Sequence, residues 1–306
     1  MKKSSTNSIY FIPLVIIYLL NSLNSWSQSK QGSSTSYKPV LIANLPDQLK
    51  ESSGLIYWNK FLWSHNDDKD TNLYAVDPQF GTINKTIQLN NVTNTEWEDI
   101  AQDSSAIYIA DTGNNVYGNR KDLHLLRIDK KSLETNNQTI DTINFVYSDQ
   151  TDFNSLPSNT TDFDLESLVV TKEQIFLFSK QWKSRKTTLY QLSKQSGNQV
   201  AQAISSFDAQ GLITGATLIE SQNKLVLCGY TSLLSPFLIV FYDYTGNNFF
   251  SGKSIRIKLD LPFHQIEGIT TTDGNTFYLS NEKLNFKGLI SNSQAIWKLD
   301  LSQIKY

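Results

Sequence analysis

Acidic residues stand at the entrances of several apolar runs in this chain. Glu96, Glu98 and Asp99 surround Trp97 in "NTEWEDIAQD", Glu166 opens "ESLVV", and Glu267 opens "EGITT". Polar loops add oxygens: "SHNDDKD" carries His65, Asn66, Asp67, Asp68 and Asp70, "ADTGNN" carries Asp111, Asn114 and Asn115, and "LSNEK" carries Asn281 and Glu282. Bases follow at Arg120, Lys180, Lys183, Arg185 and Lys186. Carboxylates brought together repel one another unless a cation neutralises them or water fills the space. A set of carboxylate and amide oxygens favours Ca²⁺ over zinc. The expected ion ligands are Glu98, Glu166, Glu267, Asp111 and Asn66. Glu98, Asp99 or Glu166 would activate water, and His65 beside Asp67 is the local candidate for an oriented base. Arg120, Lys180 and Arg185, with Asn281 and Glu282, would hold the ligand, because acids near an axis with bases further out suit an anion bound partly through a cation.

A plainer origin exists for each feature. Asp and Asn favour turns because their side chains cap backbone groups, so "NDDKD" and "DTGNN" also suit simple hairpin loops. The glutamates also suit strand caps. No loop meets the D-x-[DN]-x-[DN]-G pattern of a local calcium site. G-x-S-x-G, C-x-x-C, H-E-x-x-H and P-loop patterns are absent from the sequence.

The convergence depends on the elements that carry these residues. After residue 37 the chain is a succession of short β-type runs with turn signals between them, and long helical periodicity is missing. Five segments, 53–89, 98–149, 166–207, 215–259 and 267–301, follow one plan of strand, turn, strand, variable loop, strand, turn and, in four cases, a further strand. Such a unit is the signature of a propeller blade. The last repeat lacks its fourth strand, and "YKPVLIANL", residues 37–45, supplies one. The expectation is an all-β propeller of five four-stranded blades closed by this N-terminal strand. Six blades is the alternative, because residues 130–165 have room for irregular strands. In a propeller the first strand of each blade lines the central channel. Its start and the loop after the second strand share one face, so Glu98, Glu166 and Glu267 would meet there.

Length and composition fit this reading. The chain has 306 residues, with 39% hydrophobic and 12% aromatic content, enough for a large β core. The formal net charge of −2, without a basic stripe, sets nucleic acid aside as a partner. Lys2 and Lys3 precede an apolar run, Ile9–Leu20, and small Ser25 and Ser27 follow it. This reads as a signal peptide over 1–27, with a polar linker over 28–36 and the propeller over 37–306. The run is shorter than the about 20 residues a spanning helix needs, and an uncleaved anchor is the alternative. The expected location is secreted or periplasmic, with no membrane association after cleavage. The single cysteine, Cys228 in "KLVLCGY", rules out an internal disulfide and reads as a buried small apolar residue.

"EWEDIAQD", "IYIADTGNN" and the Arg that follows resemble the W-E-D-I-A and G-D-x-G-D-N motifs of a family of secreted bacterial β-propellers. That family is related to esterase-like phytase domains and to SMP-30/gluconolactonase-like propellers. The likeness extends through "ESSGLIYWNKFLWSHND", "DLESLVV", "ITGATL" and "QIEGITTTDGNTFYLSNE", over roughly residues 50–300. It implies a propeller with a polar axial site and, through the phytase kinship, phosphate esters held by Ca²⁺. Asn114 stands where the family often has Asp, and Cys228–Gly229 replaces an Arg-Thr pair before Tyr230. Both changes alter the charge available to a ligand. Two functions compete on this reading. One is metal-assisted hydrolysis of a phosphate ester or lactone. The other is recognition of a small anion, glycan, peptide or protein on the same face without turnover.

Overall fold

The computed structural model describes residues 36–304 apart from 68, 136 and 287. The expected signal peptide, most of the linker, and Asp68 therefore lie outside the described residues. Among the described residues no helix is long and apolar enough to cross a membrane.

Strands with period-2 alternation pair into five antiparallel meanders of four. The first joins Ser52–Trp58, Phe61–Asn66, Asn72–Val76 and Ile83–Gln88. The second joins Trp97–Gln102, Ala106–Asp111, His124–Asp129 and Ile140–Tyr147. The third joins Asp164–Val170, Gln174–Lys180, Thr187–Ser193 and Gly197–Phe207. The fourth joins Leu212–Ile219, Lys224–Tyr230, Pro236–Tyr242 and Lys253–Leu259. The fifth joins Ile266–Thr271, Thr276–Asn281 and Ala295–Asp300, and its outer strand is Val40–Asn44 from the N-terminal side of the chain. Residues 148–163 form no strand. A β-propeller results, with the first strand of each meander innermost. Each first strand contacts the next, and the fifth contacts the first.

Alternation along each strand sends successive side chains to opposite faces, so each meander packs on both neighbours. In the second meander Ile107 and Ile109 join Trp63 and Leu73 of the first, whereas Tyr108 and Leu125 join Leu177 and Tyr190 of the third. Phe176 and Phe178 meet Phe237 and Phe241 of the fourth, and Cys228 and Leu238 meet Phe277 and Leu279 of the fifth. Leu45 and Ile296 meet Leu55 and Leu62, closing the ring of cores. Cys228 is fully buried, and burial pushes its thiol pKa up, which suits an apolar packing role.

Two features tie the outer edges. The fourth strands of the second and third meanders pair in parallel, Ile143–Tyr147 against Gly197–Ala201, so these two meanders form one eight-stranded sheet. Ser36–Tyr37 pairs in parallel with Lys258–Leu259 of the fourth meander just before Val40–Asn44 pairs with the fifth. The N-terminal segment thus staples two neighbours.

A chain that begins at Leu45 loses both pairings and leaves the Ala295–Asp300 edge open to other strands. Its expected behaviour is a lower melting temperature by circular dichroism and self-association by light scattering. A melt identical to that of the full chain would show that the strand is not needed for closure.

Candidate functional site

Register breaks place the functional side chains. In the second meander Trp97 pairs with Asp111 and Asp99 with Ala110, which leaves Glu98 as an extra residue. The same slip leaves Glu166 between Leu165 and Ser167, Thr214 between Ile213 and Gly215, and Glu267 between Ile266 and Gly268. The first meander slips between Ser53 and Ile56. A bulge re-aims the side chain it carries. Ser53, Glu98, Glu166 and Glu267 accordingly line one cavity of about 240 Å³. A second tier comes from the ends of the second strands in four meanders, one residue beyond the partner of the residue that precedes the bulge: Asp67, Lys180, Tyr230 and Glu282 line the same cavity. The fourth-meander bulge residue, Thr214, instead donates a hydrogen bond from its hydroxyl to the Ile266 carbonyl.

Two glycines make the crowding feasible. A Cβ on Gly113 would sit 2.0 Å from Glu98 Oε1, so only glycine fits beside that carboxylate. Gly54, at φ +66°, would put a Cβ 2.9 Å from Asp99 Oδ1. Asp99 itself is buried among the first strands. It accepts the N–H groups of Ile100, the next residue, and of Leu168 in the adjacent meander, each at 2.8 Å.

The electrostatics are unbalanced. Six carboxylates line the cavity, from Asp67, Glu96, Glu98, Glu166, Glu267 and Glu282, against one ammonium from Lys180. Carboxylate oxygens of Glu98, Asp164 and Glu166 lie within 4.8 Å of one another, a spacing that admits one ion. Asp164 accepts the Asn114 N–H at 2.6 Å and the Trp182 indole N–H at 2.8 Å. Glu166 accepts from Lys180 Nζ at 2.5 Å, with both side chains buried. Among the described residues no donor hydrogen-bonds the Glu98 carboxylate, although Glu98 is only 7% exposed. Gln265 donates to Glu282 at 2.5 Å and to the Tyr230 hydroxyl at 3.3 Å.

Burial, then the neighbouring Glu166 and Asp164, push the Glu98 pKa well above the usual carboxylate range. Burial does the same to Glu166 although Lys180 opposes it. Burial raises Glu267 to about 8 despite Lys180. Burial and Asp67 raise Glu282 to about 7. Burial alone would lower Lys180, and the Glu166 carboxylate outweighs it, so the ammonium is held charged.

Of the residues singled out from sequence, Asp67, Glu96, Glu98, Asn115, Glu166, Lys180, Glu267 and Glu282 come together here. Asp111, Arg120, Asn66, Asn281, Arg185 and His65 lie outside its lining. Asp111 accepts backbone N–H groups of Thr95 and Glu96, and Arg120 binds Asp111 at 2.8 Å and the Gly113 carbonyl at 2.9 Å. This latch holds the loop that leads to Trp97. The Asn66 amide bonds Gln48 and Asp70, and the Asn281 amide bonds Glu282 and Ser293 carbonyls and receives the Trp297 indole N–H. Arg185 sits in the turn after Lys180, outside the cavity lining. His65 is buried edge-on to Trp97 at 5.5 Å, and burial lowers its pKa to about 4, so it packs as a neutral ring. Trp97 is fully buried in the core between the first two meanders. Asp164, Tyr230, Gln265 and Trp182 were not selected from sequence. Asp164 had a signal two residues before Glu166 in "DLESL".

A closed ring of β-meanders with acidic bulge residues turned onto its axis defines a β-propeller with a buried axial carboxylate site. No protein-family model matches the chain, and no curated protein matches it. Among solved structures the chain is similar to the glutaminyl cyclase of Myxococcus xanthus, at 10% identity and a TM-score of 0.48, over 88% of this chain and 100% of that one. It is also similar to a chain of a mitotic checkpoint complex, at 7% identity and a TM-score of 0.43, over 92% of this chain and 98% of that one. The fold assignment rests on the strand pairing itself.

Removing the Trp97 ring empties the wall behind Glu98. Trp97→Ala is expected to cost about 3–5 kcal/mol in urea unfolding, and a loss under about 1 kcal/mol would contradict its packing role. The raised carboxylates set a pH dependence. Glu267 and Glu282 keep protons in the folded state that the unfolded chain has released. Their contribution is complete below the unfolded carboxylate pKa and is lost as pH rises through about 7 and then about 8. Metal-free protein should therefore melt progressively lower from pH 6.5 to 8.5, and Glu267→Gln should flatten that slope.

Proposed function

We propose that the axial cavity binds a divalent cation, Ca²⁺ by its oxygen donors, and hydrolyses a small phosphate ester or lactone there. One observation carries this reading: the buried Glu98 carboxylate, without a hydrogen-bond donor, beside Asp164 and Glu166. Burial and the neighbouring carboxylates make its ionised form costly, and a cation held there would relieve that cost. Glu98, Asp164 and Glu166 would hold the ion, whose role is to polarise the substrate's oxygen. Glu267 and Glu282, with pKa values near neutrality, are suited to hold or pass a proton to the leaving oxygen. Burial of these side chains lowers the local screening and strengthens each of these interactions. Pockets for drug-sized ligands usually run to about 300–1,000 Å³. A cavity of about 240 Å³ therefore suits a small ester or the reacting end of a larger one. The notion that the protein works outside the cytoplasm rests on the N-terminal signal alone.

Recognition without turnover is the second reading, and the Trp182 and Tyr230 side chains in the cavity wall favour it, because aromatic faces bind sugars and peptides readily. The deciding measurements are thermal melts with millimolar Ca²⁺ and with chelator, together with hydrolysis of p-nitrophenyl phosphate and a small lactone. A ligand at about 100 times its dissociation constant stabilises by about 2.7 kcal/mol, a visible shift. Wild type should shift, Glu166→Gln should shift far less, and turnover should require Ca²⁺. Coincident wild-type melts would end the metal reading. A Ca²⁺ shift with no turnover would leave recognition standing.

A further inference from the structure

The metal reading leaves one group unexplained: the ammonium already bound to Glu166. Lys180 Nζ lies 2.5 Å from Glu166 Oε2, and the two side chains are 6% and 3% exposed. A divalent ion shared by Glu98, Asp164 and Glu166 needs the same carboxylate, and its charge repels an ammonium at that distance. Glu166 has two oxygens, but an ion on one and the ammonium on the other would stand only a few ångströms apart, so the two compete for it.

We infer, building on that metal reading, that Lys180 is the resident counter-ion of Glu166, that a divalent ion displaces it, and that the freed ammonium then presents an anion-binding group to the cavity. Three observations support the exchange. Glu98 is buried and lacks a donor, so the site has a ligand that Lys180 does not use. The ammonium already stands over the Trp182 ring, 4.8 Å from its centroid, and the Tyr230 ring, 5.5 Å from its centroid, so these faces can hold it when it leaves Glu166. Aromatic faces attract cations, and the four-carbon lysine stem can swing between them. Both rings line the cavity, so the displaced ammonium stays within it. Without such a cation the cavity presents carboxylates almost alone, which repel an anionic substrate. The substrate class this implies is a small anion, with the phosphate ester preferred over the neutral lactone.

The exchange is tested on the full chain with Lys180→Met and with wild type. Calorimetric titration with Ca²⁺ should show binding at least about tenfold tighter in Lys180→Met, because a competing positive charge has gone. Calcium-loaded Lys180→Met should nonetheless bind phenylphosphonate at least about tenfold more weakly than calcium-loaded wild type, because the anion-binding ammonium has gone. Should Lys180→Met fail to fold, wild type alone decides: reductive methylation followed by peptide mapping should find Lys180 protected in chelator and modified in Ca²⁺. Equal Ca²⁺ affinities, or a Lys180 equally protected in both conditions, overturn the exchange while the metal reading stands. Equal phenylphosphonate binding overturns the anion-holding role. If Ca²⁺ binds neither protein, the metal reading falls and takes the exchange with it.

Discussion

Carboxylates buried together need a counter-charge, and in this molecule one lysine supplies it. Lys180 binds Glu166 where the first strands of the second and third meanders converge. Around that contact Glu98 and Asp164 complete a trio, and Glu267 and Glu282 retain protons up to near-neutral pH. Glu267 and Glu282 answer the charge imbalance by protonation, Asp164 by accepting two hydrogen bonds, and Lys180 by ion pairing. Glu98 accepts no hydrogen bond from the described residues, and burial beside Glu166 and Asp164 raises its pKa well above the usual carboxylate range.

The scaffold creates that crowding through a repeated local irregularity. An extra residue in the first strand turns one side chain out of the ladder. Repetition around a ring converts a modest local bend into a convergence of four cavity-lining residues, successive ones 45 to 101 residues apart in sequence. Trp97, packed beside neutral His65, backs the Glu98 bulge. Asp111 and Arg120 tie down the loop before it.

Most of the architecture was legible in the sequence, because five strand–turn–strand units repeat and the missing outer strand of the last one has a counterpart at residues 37–45. The bulge glutamates were legible for the same reason: Glu98, Glu166 and Glu267 precede comparable apolar runs. Loop oxygens were not. Asn66, Asp111 and Asn281 sit at equivalent register positions, yet each spends its polar atoms on nearby backbone or on an arginine. A sequence records that an amide or carboxylate is present at a strand end, and the pull of unsatisfied loop N–H and C=O groups decides which way it faces. The cavity takes the next residue along, which explains Tyr230 as well as Lys180. Asp164 escaped notice because its proximity to Glu98 is a contact between meanders, with no local pattern to announce it.

The parallel pairing of Ile143–Tyr147 with Gly197–Ala201 has a bearing on the axis that lies far inside it. Other seams of the ring are held by side-chain cores, or, between the fourth and fifth meanders, by a staple from the N-terminal segment. The seam between the second and third is welded through the backbone at its rim, and Glu98 stands on one side of that seam with Asp164 and Glu166 on the other. The same seam is also tied near its inner edge, where Asp99 accepts the Leu168 N–H and Thr112 donates to the Leu165 carbonyl, so the two plates are pinned at both edges. The carboxylates therefore cannot relieve their repulsion by drifting apart, and the seam acts as the clamp that keeps the centre of the propeller hungry for positive charge.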